Sequence, residues 1–289
     1  MFFHAGGAAN VESIVPILRS AVTIMTPLLF AAAGGLFPVL AGTLNIALEG
    51  MLLAGAFSSL AVFYHTGSIT AAVAAAALSG AALSALHAFS AFKLRANLFI
   101  TGLAVNLLSS GLCVVLSDKI FGTRGVIASQ NTRGLLNRYL IFALFLLLAA
   151  WIVIYKTPFG FRLRACDKNS GALISLGINP LFYQTVSFLI SGFLAGIGGS
   201  FLSLNLGVFV PGMSAGKGWI SLVIIFLGGR KPHGILAAAF IFALAEAFSN
   251  HAQGVWSLPA DFILAFPYVC TLIAMIAVSI FPSLSTKHH

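Results

Sequence analysis

Charge is scarce in this chain. Only 7% of the residues are Asp, Glu, Lys or Arg, where a soluble domain carries about 25%. At 60% hydrophobic, with a mean hydropathy of +1.05, most of the surface has lipid as its solvent. Cysteine is scarce too. Cys113, Cys166 and Cys270 show no metal-ligand spacing and no disulfide framework. The seven histidines show no ligand spacing either, which predicts no metal site. A basic soluble face with interleaved aromatics is missing, so the net charge of +9 does not point to nucleic acid. Met1 to Ser13 lacks a basic stretch followed by a cleavage site and does not read as a signal peptide. Paired catalytic groups, such as HExxH or facing aspartates, are absent. The glycine-rich run Gly212 to Trp219 is no phosphate loop: no glycine precedes its Gly-Lys at the required spacing and no Ser/Thr follows.

Long apolar runs are what the chain has. Backbone groups in hydrocarbon must be satisfied internally, so helices or a closed barrel are the options. Barrel strands alternate polar and apolar over about 10 residues; unbroken runs indicate helices. The segments are Ile14 to Val39, Asn45 to Tyr64, Ile69 to Phe92, Leu98 to Leu116, Tyr139 to Tyr155, Leu181 to Leu206, Trp219 to Leu227, His233 to Phe248 and Phe262 to Phe281. The seventh is short and bounded by glycine, as a broken span would be. The prediction is an all-α polytopic membrane protein of about nine transmembrane helices, within a range of roughly eight to ten. No linker divides residues 1–289, so they form a single transmembrane domain.

One polar island interrupts the runs. Residues 156–180 carry Lys156, Arg162, Arg164 and Lys168 against one acid, Asp167. The stretch reads as a loop containing a short helix from about Arg164 to Leu176, ended by Gly177, where something soluble docks. Placed inside, it gives nine Lys/Arg on the cytoplasmic side against six outside (Arg19, Lys119, Arg124, Arg133, Arg138 and Lys217).

A few polar residues lie within apolar segments. Asn45 and Glu49 are four apart, which places them on one face if both are helical. Two readings stay open. Either they line or hold a translocation path, or Asn45 caps a helix whose first turn carries Glu49. Asn106 suits a hydrogen bond across helices. Glu246 sits mid-helix and needs a partner, while Asp261 after Pro259 suits a helix start. Phe121 and Phe209, near the outer mouth, offer rings for stacking. In Ser191 to Ser200 small residues recur at spacing four, Gly192 with Gly196 and Ala195 with Gly199, as close helix packing requires.

GTLNIALEGMLLAGAF resembles the signature of permease subunits of ABC importers for nucleosides and simple sugars, a family related to the ribose and branched-chain amino acid permeases. KLRANLFITGLAVNLLSSGL, TPFGFRLRACDKNSGALISLGI, SGFLAGIGGSFLSL, AGKGWISLVIIFLGG and LPADFILAFPYVCTLI follow in family order. The likeness runs from about Gly34 to Ile273. It departs at Ala47, at Cys166-Asp167-Lys168 with Ser170, and at the basic Gly229-Arg230-Lys231. The resemblance implies a bacterial inner-membrane subunit with no catalytic residues and no cofactor of its own, ATP being bound by partners. It also implies a second, homologous permease in a heterodimer, two ABC ATPase domains, and a substrate-binding lipoprotein or periplasmic protein. Arg164, Ala172 and Gly177 then belong to the ATPase-coupling loop. Asn45, Glu49, Asn106, Phe209 and Glu246 are candidates for the pathway or its broken helices. Nucleosides are the expected solute and ribose-type sugars the alternative. An ion-coupled secondary transporter, using Glu49 and Glu246, is the competing class.

Overall fold

The computed structural model describes residues 6–129 and 135–255. The ninth expected span, with Asp261 and Cys270, and also Arg133, lie outside the described residues.

The helices are α1 (Gly6–Leu40), α2 (Leu48–Thr66), α3 (Ile69–Ala88), α4 (Leu98–Phe121), α5 (Leu135–Lys156), α6 (Pro158–Lys168), α7 (Ser170–Ser175), α8 (Pro180–Leu206), α9 (Lys217–Leu227) and α10 (Pro232–Val255). A π-helical turn, Phe89–Lys93, extends α3. Among the described residues seven helices are long and apolar enough to cross a membrane, and α9 is a shorter apolar helix. Eight of the nine segments expected from sequence are thus accounted for, and the chain is a multi-pass all-α membrane protein. The strands among the described residues are a two-residue antiparallel pair, β1 (Ile127–Ala128) with β2 (Val208–Phe209), in the register Ile127↔Phe209.

Local chemistry starts and stops these helices. Asn97 Oδ1 accepts from the amides of Phe99 (2.9 Å) and Ile100 (3.2 Å) at the head of α4. Thr157 does so for α6 and Asn179 for α8, each followed by proline at the first helical position. Gly67, Gly122 and Gly207 close α2, α4 and α8 in the left-handed conformation.

The bundle is layered about α1, α2 and α8. Most of α1 lies inside the bundle, whereas most of α4 and α5 lies on its surface. The outer helices therefore turn most of their apolar surface to lipid or to another subunit. The small residues of α8 do what their spacing predicts. A Cβ on Gly192 would collide with the Gly80 carbonyl of α3, and one on Gly199 with the Leu52 carbonyl of α2. Only hydrogen at these positions lets three backbones come together.

The polar island departs from the expected single helix. It forms α6 and α7, separated at Asn169 (φ −156°, ψ 71°). Asn169 leaves helical geometry because its side chain caps the next turn, accepting from the Ala172 amide at 3.0 Å. Gly177 ends α7 at φ +74° as predicted, with its amide donating to the Ile174 carbonyl. Cys166 is buried and its Sγ lies 3.2 Å from the Arg162 carbonyl oxygen. Burial pushes its thiol above the ordinary range, so it is not the accessible probe its place in a polar loop suggests.

Candidate functional site

Helical structure is interrupted at two places inside the bundle, between α1 and α2 and ahead of the short α9, and the helix ends at these interruptions meet. The first break is Ala41 to Ala47, between α1 and α2. Pro38 cannot donate to the ladder, Gly42 takes φ +75°, and Thr43 folds back, its amide and hydroxyl both donating to the Pro38 carbonyl. The depth of the break follows from α8. Asn45 Nδ2 donates to Ser191 Oγ at 2.9 Å, and Ser191 lies about 16 Å along a helix about 40 Å long. The second break is Gly207 to Gly216, which holds β2 and a chain of turns before α9. At 11 residues, α9 is about 16 Å long, roughly half the hydrocarbon core.

Glu49 joins the two breaks. Its Oε1 accepts from the Gly216 amide at 2.8 Å and its Oε2 from the Gly218 amide at 2.7 Å. Gly218 packs directly on the Glu49 backbone. The positive ends of α2 and α9 therefore face each other with a carboxylate between them. Glu49 does lie in the first turn of a helix, but the amides it satisfies belong to a helix 167 positions later.

Asn45 corrects the sequence reading more strongly. The residue before α2 is Ala47, which makes no side-chain cap. Asn45 lies ahead of the helix, so its four-residue spacing does not put it on the Glu49 face. Fully buried, its Oδ1 accepts from the Ala47 amide at 3.2 Å and lies 3.2 Å from His87 Nδ1. The other nitrogen of His87 is 3.1 Å from the Leu98 carbonyl. Asn106 acts across helices as expected. Its Oδ1 accepts from the Gly50 amide at 2.8 Å and its Nδ2 donates to the Ile46 carbonyl at 3.0 Å. Ser109 Oγ donates to the Gly50 carbonyl at 2.6 Å. Asn45 and Asn106 thus satisfy the Ala47 amide, the Ile46 carbonyl and the Gly50 amide, which precede or open α2 and have no partner within it, as interrupted backbone inside an apolar bundle demands. His87, Ser109 and Ser191 join this cluster only through the fold. Nothing in local spacing marks them, since each acts on a segment far away in sequence.

The other candidates separate. Phe209 is fully buried against the Phe57 ring, with centroids 5.3 Å apart. The structure corrects its assignment as a stacking platform, because the β1–β2 pair turns it inward. Phe121 packs on Tyr64 and His65. Glu246 is half-buried on α10, with Oε2 buried and without a hydrogen-bond partner, and the charge of Lys217 acts on it. Lys217 itself opens α9 beside the joint, where sequence placed it in an outer loop. Among the described residues no cluster of three His, Cys, Asp or Glu side chains is placed to hold a metal.

The polar island carries a second surface. A groove of about 570 Å³ lies beside α7, lined by Ser170, Ile174, Gly177, Asn179, Leu181 and Gln184. Ile174 and Leu176 are 64% and 74% exposed, and Ala172 is exposed between them and the cap. The Arg164 guanidinium stacks between the rings of Tyr155 and Phe161 at 4.9 and 5.0 Å. It braces α6 against α5.

Residues 17–278 match the model of the permease component of branched-chain amino acid transport systems. The chain belongs to this permease family. It is 31% identical to the nucleoside ABC transporter permease protein NupC of Lactococcus lactis subsp. cremoris, over 92% of each chain. It is 28% identical to the guanosine ABC transporter permease protein NupQ of Bacillus subtilis, again over 92% of each. The putative glucose ABC transporter permease protein TsgC13 of Haloferax volcanii is 29% identical over 85% of this chain and 80% of its own. The permease is a transport component of an ABC system.

Proposed function

We propose that the permease is a membrane subunit of an ATP-driven importer of nucleosides in a bacterial inner membrane. The observation that carries this reading is its likeness, over nearly the full length, to permeases named for nucleoside and guanosine transport. It has no phosphate loop of its own, and the groove and exposed apolar side chains at α7 offer a docking place for a separate ATPase. A second, homologous permease completes the pathway as a heterodimer, two ATPase domains drive it, and a substrate-binding lipoprotein feeds it from outside. Within the chain, Asn45, Glu49 and Asn106 hold the walls of the path, their polar atoms being already engaged. Glu246, whose Oε2 is buried without a hydrogen-bond partner, is the remaining candidate for the path. A neutral, partly flat solute suits walls poor in charge.

The likeness to a permease named for glucose supports a simple-sugar solute as the second reading. Uptake of labelled adenosine, guanosine and ribose by the reconstituted complex decides between them. Nucleosides are expected to enter and to compete with each other. Competition by ribose and by no nucleoside would establish the second reading and overturn the first.

Two expected results test the placement of the polar island. A cysteine at the exposed Leu176 position is expected to react with an impermeant maleimide only from the cytoplasmic side, and reaction in intact cells would reverse the orientation. Ala172→Glu is expected to leave the protein folded, because the side chain points to solvent. It should cut uptake by at least about tenfold, a typical magnitude for a coupling energy of 1–3 kcal/mol. Undiminished transport would remove α7 from the docking surface.

A further inference from the structure

One carboxylate touches both routes to the Glu49 joint. Asp167, in the last turn of α6, is the sole acid of the polar island. On one side it packs on Gly42, the left-handed residue that opens the first break. A Cβ there would come within 2.9 Å of Asp167 Oδ1 and 3.0 Å of its Cα, so this approach requires glycine. Gln184 Nε2 holds the neighbouring Ala41 carbonyl at 3.2 Å, which leaves the turn little freedom of its own.

On the other side, Asp167 Oδ2 faces Arg230 Nη1 at 3.8 Å. Arg230 stands in the turn that closes α9, at φ +56°. Its amide donates to the Ile225 carbonyl at 2.9 Å and its guanidinium lies over the Phe226 ring at 5.4 Å. The turn is thereby fixed to α9. From it the short helix runs back, as a rigid rod, to Gly218 and Gly216 on Glu49. The other route runs from Gly42 through the first break to the same Glu49. The two routes and the carboxylate close a ring.

We propose that Asp167, paired with Arg230 and seated on Gly42, is the positioning residue that passes movement of the α6–α7 segment to the α1–α2 connection and to α9 at once. This rests on the reading of that segment as the ATPase-docking surface. A purely stabilising role is a poor account of the pair. Both side chains are about half exposed, and an exposed pair contributes little to stability. The value of the contact lies in what it connects.

The test uses the complete transporter and reads uptake per ATP hydrolysed, together with ATPase rate and membrane abundance. Asp167→Arg alone and Arg230→Asp alone are each expected to lower uptake per ATP at least about fivefold, the lower end of typical site-to-site coupling. ATPase rate and abundance should stay near those of the parent. The double exchange, which restores opposite charges, is expected to recover most of the ratio. Parental ratios in the single variants, or a double variant no better than the singles, would overturn the proposal. So would loss of ATPase and uptake together at an unchanged ratio. If the reversed variants do not accumulate in the membrane, Asp167→Asn and Arg230→Gln decide the matter. Each should still lower the ratio, and no change in either overturns the proposal. A parental complex whose uptake ignores ATP would defeat the importer reading and this joint with it. Parental ATP-driven uptake with unaffected variants would defeat the joint alone.

Discussion

Glu49→Gln is expected to reduce uptake at least about tenfold, although the two side chains are nearly the same size. The carboxylate offers two acceptors to two amides, those of Gly216 and Gly218. An amide side chain offers one acceptor and one NH2, so one backbone N–H is left facing another donor. An unsatisfied buried donor costs about 1–3 kcal/mol. Loss of the charge between two positive helix ends adds about 0.3–1 kcal/mol for each. Against a total stability of about 5–15 kcal/mol, the joint opens before the bundle unfolds. Uptake should therefore fall further than abundance or thermal midpoint. Glu49→Asp keeps the charge but is one methylene short, and an intermediate rate is expected. Parental uptake by Glu49→Gln in the reconstituted complex would show that the joint is not needed.

A second large effect is expected from Gly196→Val, here on folding. A Cβ on Gly196 would collide with the Ala76 carbonyl of α3, and one on Gly55 of α2 with the Gly196 carbonyl. Gly196 is thus the point where α2, α3 and α8 touch backbone to backbone. Inserting carbon into a filled core costs about 1–3 kcal/mol when neighbours can shift, and a carbonyl fixed in a helix cannot. Little folded protein is expected in the membrane, measured as monodisperse material after extraction. Gly111 on α4 supplies the contrast: its added Cβ meets nothing within 4 Å. Gly111→Ala should be neutral or slightly stabilising, since alanine is the better helix former. Equal yields of the two variants would mean that the close helix approach is not as described.

These two residues also show how far the sequence is legible. Gly196 was readable because helix packing leaves a local mark, small residues every fourth position. The apolar runs were readable for the same reason, as was the shortness of α9, bounded by glycine. Glu49 was readable only in part. Its cost in a membrane segment left a pathway role and a helix start both open, but its partners lie 167 positions away, in a glycine run that local pattern could only exclude as a phosphate loop. The spacing of Asn45 to Glu49 misled, because helical spacing carries meaning only once the helix has begun. The single expected helix of the polar island failed at Asn169, where a side chain able to cap competes with helix continuation. Phe209 was misplaced because a two-residue β pair has no sequence signal strong enough to turn a ring inward.

The source of energy tests the account most directly. Purified permease, reconstituted in proteoliposomes with the second permease and ATPase that the proposed function calls for and supplied with binding protein and labelled guanosine, should accumulate the nucleoside only when ATP is present on the ATPase side. A protonophore or collapse of the sodium gradient should leave that rate unchanged. Uptake that proceeds without ATP and stops when the ion gradient is removed would contradict the account. Glu49 and Glu246 would then be ion sites of a secondary transporter.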